Sequence, residues 1–169
     1  MDQISKEKFL EAYDMYADAI FRYSLIRVYE REKARDLTQD VFLRAWDYIR
    51  SGRTVENWKA FLFRIATNLI IDNSRKKHET ISLEVMMETG FDAGQDDRKH
   101  IDNWIDGQQA VAALNELDEI YREAVYLRYM EDFSPKEIAA ITGESENLIS
   151  VRVHRGIYML KKLLSKKNV

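Results

Sequence analysis

The feature that most constrains the fold is a recurrence of apolar residues at intervals of three and four along residues 1–78. This spacing places apolar side chains on one face of an α-helix. The 169-residue chain contains only six glycines and one proline, so few residues interrupt a helix. Ser51 and Gly52 mark one such interruption, and the polar loop SGRTVEN follows from residue 51. We predict three helices, at residues 6–29, 32–49 and 55–77.

Each of these helices has an apolar face that must be buried against another element of the fold. On the first helix we predict that this face contains Phe9, Tyr13, Tyr16, Ile20, Ser24 and Val28, widened by Leu10, Ala17, Phe21 and Leu25. On the second it contains Ala34, Leu37, Val41, Ala45 and Ile49, with Phe42 and Trp46 beside them. On the third it contains Trp58, Phe61, Leu62, Ile65, Ala66 and Leu69. Short connections between such helices predict a small bundle.

The helical pattern fails between residues 79 and 106. This segment holds eight acidic and two basic residues, a net charge of −6. Long connections without regular structure are unusual within one compact domain. We therefore predict an all-α protein of two small helical domains, residues 1–78 and 107–169, joined by an acidic linker at residues 79–106.

The second domain contains the stretch SPKEIAAITGESENLISVRVHRG, which begins at residue 134. Short helices at residues 110–117 and 120–130 precede it. Ser134 and Glu137 have the spacing of a capping box, with Pro135 at the first helical position. Gly143 supplies a left-handed residue that ends the short helix, and Ser145 caps the next one. The pattern predicts a helix-turn-helix.

The second helix of this motif has an apolar face and a polar face. Ile149, Val153, Gly156 and Leu160 are predicted to face inward, and Gly156 would let another backbone approach closely. The opposite face carries Asn147, Ser150, Val151, His154 and Tyr158, flanked by Arg152 and Arg155. Such side chains can bind base edges and phosphates in a DNA groove. By spacing alone, a helical hairpin with a solvated face fits equally well.

The charge is unevenly distributed. A net charge of −3 and a sequence pI near 5.7 argue mildly against nucleic-acid binding. However, residues 51–78 hold six basic and two acidic residues, and residues 150–169 hold six basic residues and no acid. Net charges of +4 and +6 suit phosphate contacts at two places. Either basic segment alone could also simply solvate a surface.

Composition also makes several functions improbable. The chain has no cysteine, which excludes disulfides and thiolate metal sites. His78, His100 and His154 lack the spacing of metal ligands. No nucleophile–base pair or phosphate-binding loop is present, and no apolar run approaches the roughly 18 residues of a membrane span. We expect a cytoplasmic, non-enzymatic protein without signal peptide, membrane insertion, metal, cofactor or small-molecule substrate.

Two parts of the sequence resemble a known family. ARDLTQDVFLRAW and WKAFLFRIATNLIIDNSRKK resemble region two of the extracytoplasmic-function group of bacterial RNA polymerase sigma factors. LNELDEIYREAVYLRYMEDFSPKEIAAITGESENLISVRVHRGIYMLKKLL resembles region four of the same group. Together they cover most of the chain outside the linker. The resemblance implies that core RNA polymerase, promoter DNA and an anti-sigma factor are the partners.

The resemblance also implies residue roles in region two. In the family, the second helix docks on the clamp helices of the largest polymerase subunit, although composition alone favours a solvated face here. The corresponding positions are Asp36, Gln39, Asp40, Leu43 and Arg44. The following loop and helix of the family read and open the minus-ten promoter element. The matching residues are Arg53, Asn57, Arg64, Asn68 and Arg75. Trp58 is expected in the core.

Region four of the family reads the minus-thirty-five element. That role falls on Glu146, Asn147, Ser150, Val151, Arg152, His154 and Arg155. Ser150 stands where many members have Lys or Arg, and Asn147 where many have a small residue, so the promoter sequence stays open. Asp118 replaces a usual proline and can still cap a helix.

Two rival functions also fit parts of the sequence. One is a helix-turn-helix regulator that acts without polymerase, and the other is a helical adaptor that binds only protein. The linker resembles the family's connector, which threads toward the polymerase active-site channel, and it also fits a simple tether.

Overall fold

The computed structural model describes residues 3–84 and 108–167, and these residues form α-helices and loops without a β-strand. The predicted all-α class is confirmed. The chain divides into two compact units, residues 1–97 and 98–169. The helices are α1 Gln3–Val28, α2 Arg31–Arg50, α3 Trp58–Glu84, α4 Gln108–Asn115, α5 Glu119–Tyr129, α6 Pro135–Thr142 and α7 Glu146–Lys167.

In the first unit α1, α2 and α3 pack against one another. An aromatic cluster joins all three near the beginning of α1. The ring of Phe9 lies 4.9 Å from Trp46, 6.1 Å from Trp58 and 6.3 Å from Phe42 between centroids. These edge-on arrangements are favourable for aromatic rings. Trp58 is half-buried in this cluster, which agrees with its predicted place in the core.

The inward face of α1 differs in part from the prediction. Ile20 and Ser24 are fully buried as predicted, whereas Leu10 and Tyr13 are about half exposed, at 51% and 48%. Tyr23 and Ile26 are fully buried although the pattern did not select them. The reason is that α1 carries apolar residues on most sides, so periodicity alone leaves its orientation open.

A buried polar contact fixes that orientation. The hydroxyl groups of Tyr23 and Thr67 lie 2.8 Å apart, and Arg27 Nη1 donates a hydrogen bond of 3.0 Å to the Tyr23 oxygen. The Tyr23 ring also packs on Phe63 of α3, with centroids 5.2 Å apart. Burying the tyrosine hydroxyl without a partner would cost free energy, so α1 takes the rotation that brings it to Thr67.

The helix boundaries agree with the predictions to different degrees. The predicted bounds of α2 are correct to within one residue at each end. In contrast, α3 begins three residues later than predicted and ends at Glu84 rather than at residue 77. Residues 78–84 contain no glycine or proline, so nothing in them stops a helix. The rest of the predicted linker lies outside the described residues, and the domain boundaries stay predictions.

In the second unit α7 packs against α4, α5 and α6. The predicted capping box is present, since Ser134 Oγ accepts from the Glu137 backbone N–H and the Glu137 carboxylate accepts from the Ser134 backbone N–H. Gly143 has φ +76° and ends α6 as predicted. Ile138, Ile141 and Ile149 are buried. The helix-turn-helix therefore has the local structure that its sequence predicts.

Gly156 lies at a close contact between α7 and α5. A Cβ atom at this position would lie 2.5 Å from Val125 Cγ2 and 3.3 Å from the Tyr121 carbonyl oxygen. Valine is stiff at χ1 and the carbonyl belongs to a helix backbone, so neither can move aside easily. The prediction that Gly156 permits a close approach is confirmed.

We expect Gly156→Ala to destabilise the second unit. Overpacking costs about 1–3 kcal/mol, and the better helix propensity of alanine offsets about 1 kcal/mol of this. The measurement is amide hydrogen exchange of α5 and α7 in the full chain. Ser150→Ala, an exposed change on the same helix, is the control. Pairing Gly156→Ala with Val125→Ala should cost less than the sum of the two changes, and simple additivity would contradict the clash.

Candidate nucleic-acid interface

The outer face of α2 presents one of the predicted surfaces. All six residues of its buried stripe lie inward: Ala34, Leu37, Val41, Phe42, Ala45 and Ile49. The predicted docking residues lie on the other side and are all exposed: Asp36, Gln39, Asp40, Leu43 and Arg44. Leu43 is 59% exposed, which leaves a large apolar side chain in water within a polar surface. This side chain is therefore accessible to a partner.

The loop after α2 holds Arg53 beside the start of α3. Ser51 Oγ donates a hydrogen bond of 2.6 Å to the Tyr48 carbonyl oxygen, and Gly52 adopts φ +85°. The chain then turns so that the Arg53 guanidinium lies 5.1 Å from the centre of the Tyr48 ring. That ring packs on Phe61 of α3, with centroids 4.7 Å apart. Arg53 is therefore a partly oriented cation at the surface.

Asn57 is the residue that starts α3. Its Oδ1 accepts a hydrogen bond of 3.0 Å from the Ala60 N–H, and its carbonyl oxygen accepts one of 3.0 Å from the Phe61 N–H. This is the geometry of a helix N-cap. The sequence prediction gave Asn57 a role in DNA binding and missed its role as a cap. Because Oδ1 already accepts a hydrogen bond from Ala60, the amide N–H groups of the exposed side chain are the atoms available to bind a base.

The exposed face of α3 continues from this loop. Arg64, Asn68 and Arg75 are exposed, and so is Asp72 between them. The spacing of four, four and three residues places these four on one face. The opposite side of α3 is buried through Leu62, Phe63, Ala66, Thr67, Leu69 and Ile70. The structure thus brings Arg53 and Asn57 to the beginning of a helix whose outer face is mainly basic.

The second predicted DNA surface is the N-terminal half of α7. Ser145 Oγ accepts a hydrogen bond of 3.2 Å from the Leu148 N–H and so caps the helix. Ile149 and Gly156 face the other helices of the unit. Six of the seven predicted residues are exposed on the outside: Glu146, Asn147, Ser150, Val151, His154 and Arg155.

Arg152 is the exception on α7. Its side chain is only 17% exposed, and it folds back toward the turn that precedes the helix. Its Nη1 and Nη2 atoms lie 3.3 and 3.4 Å from Glu144 Oε1. The sequence prediction did not single out Glu144. A partner eight residues away follows from the shape of the turn and not from helical spacing.

The described residues show neither a metal cluster nor a membrane span. Within residues 3–84 and 108–167, no group of three or more histidine or acidic residues could hold a metal ion. None of the helices there is both long enough and apolar enough to cross a bilayer. His154 is exposed on α7, while the side chains of His78 and His100 lie outside the described set.

Comparison with known proteins accounts for both units. Residues 12–80 match the family model of sigma-70 region 2, and residues 107–160 match that of sigma-70 region 4. The chain is 30% identical over 160 residues to the extracytoplasmic-function sigma factor SigM of Bacillus subtilis, covering 92% of this chain and 94% of that protein.

Two further comparisons agree. The chain is 32% identical over 165 residues to the sigma factor BldN of Streptomyces coelicolor, covering 94% of this chain and 61% of that longer protein. The sigma factor RpoE of Bartonella quintana, solved in complex with the anti-sigma factor NepR, superposes with a TM-score of 0.74 at 27% identity. That comparison covers 94% of this chain and 98% of the solved one. The chain belongs to the extracytoplasmic-function group of RNA polymerase sigma factors.

Proposed function

We propose that this chain directs core RNA polymerase to promoters and takes part in opening them. The observation that carries the proposal is the exposed outer surface of α2 and α3 in the first unit. The first face, on α2, has Leu43 among polar side chains. The second face, on α3, has a row of basic and amide side chains. A protein partner suits the first of these faces and a nucleic-acid strand suits the second.

The exposed face of α2 is the proposed polymerase contact. Asp36, Asp40 and Arg44 provide charges of both signs around Leu43, and all four are exposed. An apolar centre surrounded by a polar rim is a common arrangement in protein interfaces. The inner face of α2 is fully used in packing, so this surface is available without unfolding the bundle.

The loop and α3 are the proposed contact for the minus-ten element. Arg53, Arg64 and Arg75 supply positive charge along one path, and Asn57 and Asn68 supply amide groups. Basic residues bind the phosphates of a separated strand, while amide groups can hydrogen-bond the edges of an unstacked base. Asp72 lies on the same face and reduces its charge, and we assign it no contact.

The outer face of α7 is the proposed reader of the minus-thirty-five element in duplex DNA. A recognition helix uses the residues of its first turns against base edges in the major groove. Asn147, Ser150 and His154 can exchange hydrogen bonds there, and Val151, at 44% exposure, can contact a thymine methyl group. Arg155 can bind a phosphate or a guanine.

In this proposal the chemistry of RNA synthesis belongs to the polymerase, and the sigma factor acts in the cytoplasm without a catalytic residue, metal or cofactor of its own. An anti-sigma factor is the proposed regulator, because the similar RpoE was solved bound to one. A helix-turn-helix regulator that works without polymerase would need only the second unit. An adaptor that binds protein alone would not need the basic faces of α3 and α7.

The deciding experiment is reconstituted transcription. Core RNA polymerase of the source bacterium, mixed with this chain, should start RNA synthesis at defined positions on a library of candidate promoters, because the chain supplies promoter recognition. Sequencing the short transcripts measures this. No start sites beyond those of core polymerase alone would overturn the proposal. A regulator or an adaptor would give that negative result.

A matched pair of variants tests the α2 surface in the same assay. Leu43→Asp should weaken binding to core polymerase at least tenfold, the equivalent of about 1.4 kcal/mol, because it places a charge in a contact that requires desolvation. Met15→Asp on α1, at 69% exposure in the same unit, is the control and should bind normally. Equal effects of the two changes would contradict the assignment of α2.

Replacements of Asn57 separate capping from DNA contact. Ser and Asp are good N-caps, so Asn57→Ser and Asn57→Asp should keep stability within about 0.5 kcal/mol, whereas Asn57→Ala should lose about 1 kcal/mol. All three variants lack the amide donor and should slow promoter opening. Urea unfolding measures stability, and a fluorescent base analogue at the minus-ten element measures opening. Normal opening by Asn57→Ser would leave Asn57 with the cap role alone.

A further inference from the structure

The turn between α6 and α7 contains Glu144, whose carboxylate forms an ion pair with Arg152, one of the two arginines in the proposed DNA-reading half of α7. Glu144 is the middle residue of this three-residue turn and its side chain is 40% exposed. Both terminal nitrogens of Arg152 point at a single oxygen of Glu144, at 3.3 and 3.4 Å. The guanidinium is therefore neutralised by its own protein at the place where α7 would approach DNA.

Arg155 differs from Arg152 in having no ion-pair partner in the part of the chain that the structure describes. It is exposed on the same helix, and it has no acidic partner among residues 3–84 and 108–167. From residue 150 to the last residue of the chain the sequence has no acid, so neither arginine has an acidic neighbour further along its own helix. Two arginines that look equivalent in the sequence thus differ in their availability to a phosphate.

This difference matters because phosphate contacts carry little sequence information. Each one releases counterions and strengthens binding to any duplex, whereas base contacts discriminate between sequences. A phosphate that takes Arg152 must first displace Glu144. Partly exposed ion pairs are weak, so the carboxylate reduces the gain from this contact without preventing it.

We propose that Glu144 is a specificity-determining residue, which lowers sequence-independent DNA affinity by competing with phosphates for Arg152. The inference rests on the proposed function, in which α7 reads duplex DNA. Base recognition by Asn147, Ser150 and Val151 is untouched by the pair. Specificity rises to the extent that non-specific complexes, which lack base contacts, depend on the Arg152 phosphate contact more than the specific complex does.

The test uses the full chain and a random-sequence DNA duplex, with affinity measured over a range of salt concentrations. Glu144→Gln keeps the size of the side chain and removes its charge. It should raise affinity about threefold, the scale of an exposed ion pair, and steepen the salt dependence by about 0.9, the value of one phosphate contact. In an Arg152→Ala background both effects should vanish.

Asp118→Asn is the matched control. It removes one negative charge from an exposed residue of the same unit that lies outside the predicted DNA surface, and asparagine is as good a helix cap as aspartate, so it measures the general effect of losing one negative charge. Holoenzyme containing Glu144→Gln should also select a less defined minus-thirty-five sequence from a randomised promoter pool than the wild-type holoenzyme does. Thermal unfolding confirms that the variants are folded.

Three results would overturn the inference alone: equal effects of Glu144→Gln and Asp118→Asn, an effect of Glu144→Gln that persists without Arg152, or weaker binding by Glu144→Gln. Weaker binding by Glu144→Gln would mean that the Glu144–Arg152 ion pair stabilises the turn between α6 and α7 in the form that binds DNA. If neither the wild-type chain nor its holoenzyme binds duplex DNA, the proposed function fails together with the inference. Normal wild-type binding distinguishes the two cases.

Discussion

The contact between α7 and α5 at Gly156 determines what the second unit can present to DNA. Because a Cβ atom there would lie 2.5 Å from Val125 Cγ2, a larger residue at this position would require the Val125 side chain or the helices to shift. This contact and the burial of Ile149 fix the rotation of α7 about its own axis. The exposed set that begins at Asn147 follows from that rotation.

The orientation of α1 in the first unit also depends on one contact, which here is a buried hydrogen bond between two side chains. The Tyr23 hydroxyl must find a partner in the core, and it finds Thr67 of α3. This requirement selects one rotation of α1, a helix with apolar residues on most sides. Once α1 is fixed, α2 and α3 bury their own stripes against it, and their outer faces are left for partners. The proposed contacts of both units therefore lie on surfaces that helix packing leaves exposed.

The sequence predicted elements best where one local signal was strong. The bounds of α2 and the capping box of α6 came from a clear apolar stripe and from cap residues. The buried face of α1 could not be predicted from periodicity, because Tyr23 is buried through its hydrogen bond to Thr67, a residue 44 positions away. The start of α3 was misplaced because the cap role of Asn57 was missed. The predicted site residues on α2, α3 and α7 are exposed with the exception of Arg152, whose partner depends on the path of a turn.

The location of charge explains how an acidic chain can be suited to DNA. The net charge of −3 includes −6 from residues 79–106, while residues 150–169 contribute +6. Screening limits interactions of exposed charges to about 10 Å at moderate salt, so local charge and not the total governs a phosphate contact. At that scale a single carboxylate matters. Glu144 lies within 3.4 Å of both terminal nitrogens of Arg152, so its charge acts on that guanidinium at contact distance. At the same length scale a phosphate responds to the local charge of Arg152, Arg155 and the lysines that follow them, and not to the total charge of the chain.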